Sequence, residues 1–364
     1  MATPTFANTT LEYFDGFDDC NQSQLTRLWA GELTNMQNNQ NVYSFIAPAN
    51  STPSAGNGRN GSASLRITTN YSPLGWVGPS RATRAVGFAI NATNFNGNGG
   101  TLPLSIVSFG DAGTLQLCLR VNADGTLSVC RGANNGAVVL GPSTQSLTIN
   151  TWWFVEVSVT ISPTAGAATV RVGGATWLSG TALNTRATAN NSANCVIIGP
   201  CPSDGRAWQA DYDDVYIDSA GNFAGDCRVE THLPTGNGAS STWTPSAGSN
   251  YSCVADNPSD DDTTFNVSGT VGNLDLYTYP ALATTAGAVQ AVMIAPVLRN
   301  TASGSAGITM TYRQGSTNYS GGVQSVGSQS YSNYPDIQGH DPSTGAAWTI
   351  AGVNSAQYGV NRSS

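Results

Sequence analysis

The 364-residue chain offers few groups for chemistry: four glutamates, eighteen aspartates, two histidines and seven cysteines. Glycoside cleavage needs two carboxyl groups on one face, about 5–5.5 Å apart for retention and farther apart for inversion. Glu12, Glu32 and Glu230 stand in turns or at domain edges, and only Glu156 lies mid-strand. Its face-mates are Phe154 and Ser158 rather than a second carboxylate, which places Glu156 on a solvated row. Nucleophilic catalysis fares no better. His232 and His340 lie in Gly/Pro-rich loops, and the chain has no GxSxG elbow. On these grounds the chain is expected not to be an enzyme.

Hard oxygens cluster twice. Asp211, Asp213 and Asp214 open a strand, while Asp260, Asp261 and Asp262, with Asp256, crowd a loop. Calcium takes six to eight such oxygens, so it is the one candidate cofactor. Neither run has the spaced D-x-[DN]-x-[DN]-G pattern, and Asx turns account for Asp-rich loops as well. The cysteines, at 20, 118, 130, 195, 201, 227 and 253, form no CxxC pair, and neither histidine is near them in sequence. A structural zinc site is therefore not expected. Sugar binding would need aromatic platforms beside amides and carboxylates. The outward row Trp152, Phe154 and Glu156 is one candidate, and Trp76, closing Tyr71-Ser-Pro-Leu-Gly-Trp76, is another. The alternative is that these aromatics pack under loops or against a neighbouring subunit.

The elements that must position these groups are strands. Over 153–161 the odd positions are Trp, Val, Val, Val and Ile, and the even ones Phe, Glu, Ser and Thr. That period of two marks a strand with one face in a core. Similar runs lie at 63–69, 84–90, 104–109, 168–172, 195–198 and 208–217, and no segment sustains a helical period. The fold class is all-β. In the hairpin 115–130, Asp124-Gly125 suits a three-residue loop, type I followed by a left-handed glycine. With Asn122 facing Thr126, Cys118 stands opposite Cys130, within reach of a disulfide or packed as two thiols.

Composition narrows the classes further. Charged residues make up 10%, there is no lysine, and the net charge is −8. A helical bundle wants Glu and Lys in quantity, and a nucleic-acid binder wants a basic face. Ten Phe, thirteen Tyr and eight Trp argue against disorder. No apolar run is long enough to insert in a membrane, and the N-terminus lacks a secretory pattern. Synthesis in a cytosol is expected. The polar turn 218–222 reads as a boundary between residues 1–222 and a smaller domain, 223–364.

Several phrases, in their order, resemble a known family: Tyr13-Phe-Asp-Gly-Phe-Asp18, Asn122-Ala-Asp-Gly-Thr-Leu127, Trp152-Trp-Phe-Val-Glu-Val157 and Asp213-Asp-Val-Tyr-Ile217. Downstream come Asp226-Cys-Arg-Val-Glu230, Trp243-Thr-Pro245, Asp260-Asp-Asp-Thr-Thr264, Leu274-Asp-Leu-Tyr277 and Asp341-Pro-Ser-Thr-Gly-Ala-Ala-Trp348. They resemble the concanavalin A-like or laminin G-like jelly roll of tailed-bacteriophage structural proteins. The resemblance implies a virion surface protein with a lectin-like sandwich and a second small β-sandwich for docking or oligomerisation. It also implies calcium at a sandwich edge. Jelly-roll hydrolases similar to this fold carry Glu-x-Asp-x-x-Glu, which is absent here. The expected partners are other virion proteins, the chain's own copies and host-surface polysaccharide. The expected place is a tail fibre or tail tip, or a capsid decoration or head fibre. A glycan-cleaving hydrolase and a bacterial surface adhesin are the alternatives.

Overall fold

The computed structural model describes residues 9–18, 25–29, 51–53, 58–67, 74–95, 103–200 and 209–364. It divides into two compact units, Glu12–Val229 and Glu230–Ser364, the latter including Leu11 and the described residues before it.

The described strands of the first unit are β1 Leu11–Asp15, β2 Ser51–Pro53, β3 Leu65–Ile67, β4 Leu74–Arg81, β5 Thr83–Ala92, β6 Leu104–Asp111 and β7 Thr114–Val121. They continue with β8 Leu127–Arg131, β9 Val138–Leu140, β10 Trp153–Thr160, β11 Gly166–Val172, β12 Ala175–Leu183, β13 Ala193–Ile198 and β14 Ala210–Asp218. One antiparallel sheet has the order β12-β11-β10-β5-β14-β3-β2, with β1 on β14, and the other β4-β13-β6-β7-β8-β9. The two inner faces share one apolar core, as a sandwich requires. Val155, Val157 and Val159 of β10 and Val86, Phe88 and Ile90 of β5 meet Leu117, Leu119, Val129 and Val196. The Tyr212 hydroxyl crosses that core to donate to the Ile106 carbonyl.

The alternation therefore reports real strands, and the fold is the expected all-β sandwich. The hairpin also forms as spaced: Asn122 N–H donates to the Thr126 carbonyl, and Gly125 sits at φ +82°. Cys118 and Cys130 are directly opposite. β4 and β12 escape a reading by alternation. β4 is an edge strand that carries Pro79, which an edge tolerates. β12, the other sheet's edge, is largely exposed and rich in Thr and Ser.

Strand β14 carries a bulge. Asp213 pairs with Ala89 but Tyr216 pairs with Gly87, so three steps on one strand match two on the other. The extra residue, Asp214, takes φ +51°, a left-handed value that aspartate tolerates better than most side chains. Tyr212, Val215 and Ile217 can thus all face the core.

In the second unit Leu274–Thr278 pairs with Gln357–Arg362, which pairs with Ala306–Gln314, and shorter strands flank these. Ile308, Met310, Tyr312, Trp348 and Tyr358 form its core. Thr317–Ser320 and Gln324–Val326 both pair with the central strand Ala306–Gln314. A short helix, Ile350–Ser355, departs from the all-strand expectation; the Thr349 side chain caps it by accepting from Gly352 N–H.

Candidate functional site on the outer sheet face

The face of the larger sheet turned away from the core is not a solvated surface. Glu156 is 1% exposed and Phe154 3%. The reason is the stretch after β14, residues 219–229, which folds back as a strap over β10 and β14. Asp218 starts the turn by accepting from the Ala220 and Asn222 N–H groups. Ser158 then donates to the Gly221 carbonyl, Ala224 N–H to the Tyr216 hydroxyl, Gly225 N–H to Glu156 Oε1 and Val229 N–H to Asp214 Oδ1. These bonds place 219–229 in the first unit.

Under the strap Tyr216 donates to Glu156 Oε1 at 2.6 Å. Burial and the adjoining Glu156 hold the phenol well above its ordinary pKa, so it stays a donor. The Tyr216 ring stacks with Phe154, 6.5 Å between centroids, and the Arg59 guanidinium lies 5.4 Å from the Phe154 centroid. Arg59 also pairs with Asp214 and Asp226 and donates to the Cys227 carbonyl. Asp213 accepts from Arg59 N–H, the Ser62 hydroxyl and Asp214 N–H. Burial, with the neighbouring Asp214, pushes Asp213 up to about 7, and burial pushes Asp214 up to about 6. The half-buried Cys227 thiol is pushed up to about 12, first by desolvation and then by Asp214 and Glu156. Carboxyls that titrate near neutrality are characteristic of sites that move protons.

Several expectations are corrected here. Glu156 is buried beneath the strap rather than solvated, and with Phe154 it forms part of a covered cluster rather than an open sugar platform. Trp152, half-buried, stands at the entrance to β10. Trp76 is also no platform: it is 9% exposed, within β4, and the Arg84 guanidinium lies 4.9 Å from its ring centroid. Residues 71–73 of that loop lie outside the described residues, as do Cys20, Cys201 and Trp208.

The aspartates proposed for calcium have protein partners. Both oxygens of Asp211 bind Arg66, at 2.8 and 2.9 Å, and Asp213 and Asp214 are engaged as above. In the loop of the second unit, Asp260 accepts from Thr264, Asp261 accepts from the Ser259 hydroxyl, and Asp262 pairs with Arg299 and accepts from Tyr331. Among the described residues no three His, Cys, Asp or Glu side chains converge as a metal centre needs. Cys118 and Cys130 remain buried thiols rather than a disulfide, and a bond from the Cys118 thiol lowers the pKa of Cys130. His232 contacts Glu230, whose carboxylate also accepts from the Ala283 and Thr284 N–H groups.

Tyr216, Arg59 and Arg171 escaped the sequence reading. Arg171 had a signal: Glu156 on β10 lies directly opposite it on β11, a register that the turn between the strands sets.

No protein-family model and no curated protein matches the chain. Solved structures do. Alginate lyase Aly36B is 12% identical, with 62% of this chain and 100% of that one covered and a TM-score of 0.39. The cellulose-induced protein Cip1 is 15% identical over 50% of this chain and 91% of its own, with a TM-score of 0.37. A Trypanosoma rangeli sialidase is 13% identical over 44% of this chain and 26% of its own, with a TM-score of 0.33. Two of these three are enzymes. At these identities the likeness is one of fold, and the expectation that the chain is not an enzyme is withdrawn.

Proposed function

We propose that the first unit is a glycan-active jelly roll that cleaves a surface polysaccharide, with Glu156 as its proton-transfer group. The observation that carries this reading is the Glu156–Tyr216 pair. Tyr216 and Gly225 both donate to Oε1, which leaves Oε2 as the oxygen without a partner. A carboxyl oriented through one oxygen and free at the other can give or take a proton at a substrate oxygen. Part of the strap's hold on this site consists of the N–H bonds of Ala224 and Gly225 to Tyr216 and Glu156. A substrate that offers its own hydroxyls to these groups replaces those bonds, which gives a route of entry.

The test is incubation of the full chain with bacterial capsular polysaccharides, lipopolysaccharides and polyuronates, scored by new reducing ends and by unsaturated products. Glu156→Gln is expected to lower the rate at least ~100-fold, the lower range for losing a general acid or base. Absence of products from every glycan, or full activity in Glu156→Gln, overturns the reading.

The chain is further proposed to sit on the outside of a tailed-phage particle, where the second unit docks to the particle or to its own copies. The order of phrases and the lysine-free, Asn/Ser/Thr-rich composition support this, because neutral polar surfaces pack in many copies without charge repulsion. Mass spectrometry of separated heads and tails should find the chain in one of the two fractions. Its absence from both refutes the placement and leaves the glycan reading standing.

A further inference from the structure

Glu156 and Arg171 face one another across β10 and β11 on the covered side of the sheet. Each carries a buried polar atom without a hydrogen-bond partner, Oε2 of Glu156 and Nε of Arg171. One is an acceptor and the other can only donate. Buried orphan atoms are uncommon in folded proteins, and two of complementary kind on paired residues point to an absent third group. Arg171 is not free to turn away, because the Phe223 ring of the strap lies against its guanidinium, 4.4 Å from centroid to carbon. Thr176 on β12 is its partner on the far side, and the Thr169 and Ser179 hydroxyls bond each other one step along.

We propose that Glu156 Oε2 and Arg171 Nε form a subsite for a single hydroxyl, which donates to the carboxylate and accepts from the guanidinium. A hydroxyl is the smallest group able to do both at once. On the glycan-active reading, on which this inference rests, the occupant is one particular sugar hydroxyl, and Arg171 is a positioning residue that selects for it. A water molecule offers the same chemistry and is the competing occupant.

The experiment uses the full chain and defined probes: methyl gluco-, galacto-, manno- and glucuronopyranosides and their monodeoxy derivatives, titrated by ligand-observed NMR. Arg171→Met keeps the aliphatic stem against Phe223 and removes the donor, and Arg171→Lys keeps the charge but offers no N–H at that position. One monodeoxy derivative is expected to bind wild type at least tenfold more weakly than its parent. Against Arg171→Met and Arg171→Lys, that derivative and its parent should bind alike. A purely structural role for Arg171 would weaken all sugars equally and leave the deoxy discrimination intact.

If wild type binds sugars but no derivative discriminates, or if Arg171→Met keeps the discrimination, the occupant is water and the subsite assignment fails alone. If wild type binds none of the probes and also cleaves no polysaccharide, both readings fall together. Binding none of the probes while cleaving a polysaccharide overturns the single-hydroxyl subsite and spares the activity.

Discussion

Lowering the pH from 8 to 5 is expected to raise the melting temperature, the reverse of ordinary acid destabilisation. Asp213 and Asp214, 1% and 2% exposed, are pushed up to about 7 and about 6, chiefly by burial. In the unfolded chain both return to the usual aspartate value near 4. The native state therefore binds protons more tightly than the unfolded state between about pH 7 and pH 4. By linkage, stability grows as the pH falls through that window and is fully present below the unfolded value. The two groups adjoin, so their effects are not additive, and the combined gain is on the order of a few kcal/mol.

The charged groups around them define the control. Arg59 and Arg228 favour the ionised form of Asp214, and the nearby Asp18 opposes it. Glu230 and Asp124 are shifted the other way, below their usual values, so their contribution is lost only at pH below the ordinary carboxylate range. Thermal unfolding at pH 8, 7, 6 and 5 measures the slope, and Asp213→Asn should remove much of it. A melting temperature that is flat or falls from pH 8 to 5 would refute this account of the pair.

Gly87→Ala should be the most damaging small substitution at the site. A methyl at Gly87 would lie 2.0 Å from Cε1 of Tyr216, and the whole ring edge is within 2.8 Å. Tyr216 is 2% exposed and stacked with Phe154, so the ring has no open space to enter. Overpacking of this kind costs up to about 3 kcal/mol, or roughly 6–12 °C in melting temperature for a domain of this size. The displaced ring also loses its bond to Glu156, so on the glycan-active reading proposed above cleavage should fall with stability. Tyr216→Phe separates the two effects, because it keeps the ring and removes only the hydroxyl. In the double variant Gly87→Ala/Tyr216→Ala the clash is gone, and the two losses should combine to less than their sum. Full additivity would show that the ring does not rest on Gly87.

Much of the sandwich was legible because alternation is a local property. Val155, Val157 and Val159 declare an inner face without reference to any other strand. The Asn122–Thr126 register was legible for a similar reason, since a three-residue loop leaves little freedom. The condition of Glu156 was not legible. Its row of Phe, Glu and Ser reads as solvent-facing, and the strap that covers it comes some sixty residues later. That strap is written in Gly, Asn, Ala and Asp, residues that look like a boundary turn, and its hold is made largely by backbone N–H groups that leave no trace in side-chain identity. The aspartates were visible as a cluster. Their chemistry depended on distant donors at 59, 62, 66 and 229, which no spacing rule joins to them.

The bulge at Asp214 has a consequence for how β14 tolerates change. Before it, the core-facing positions are even-numbered, at 210 and 212; after it they are odd, at 215 and 217. The strand thus has two parities joined by one inserted unit, much as a frameshift joins two reading frames. A saturation scan should show apolar demand on even positions up to 212 and on odd positions from 215. Deleting residue 214 would remove the inserted unit and merge the two frames into one regular alternation, with Val215 and Ile217 still facing the core and Tyr216 the strap. That deletion should then cost little beyond the bonds Asp214 itself makes to Val229 N–H and Arg59.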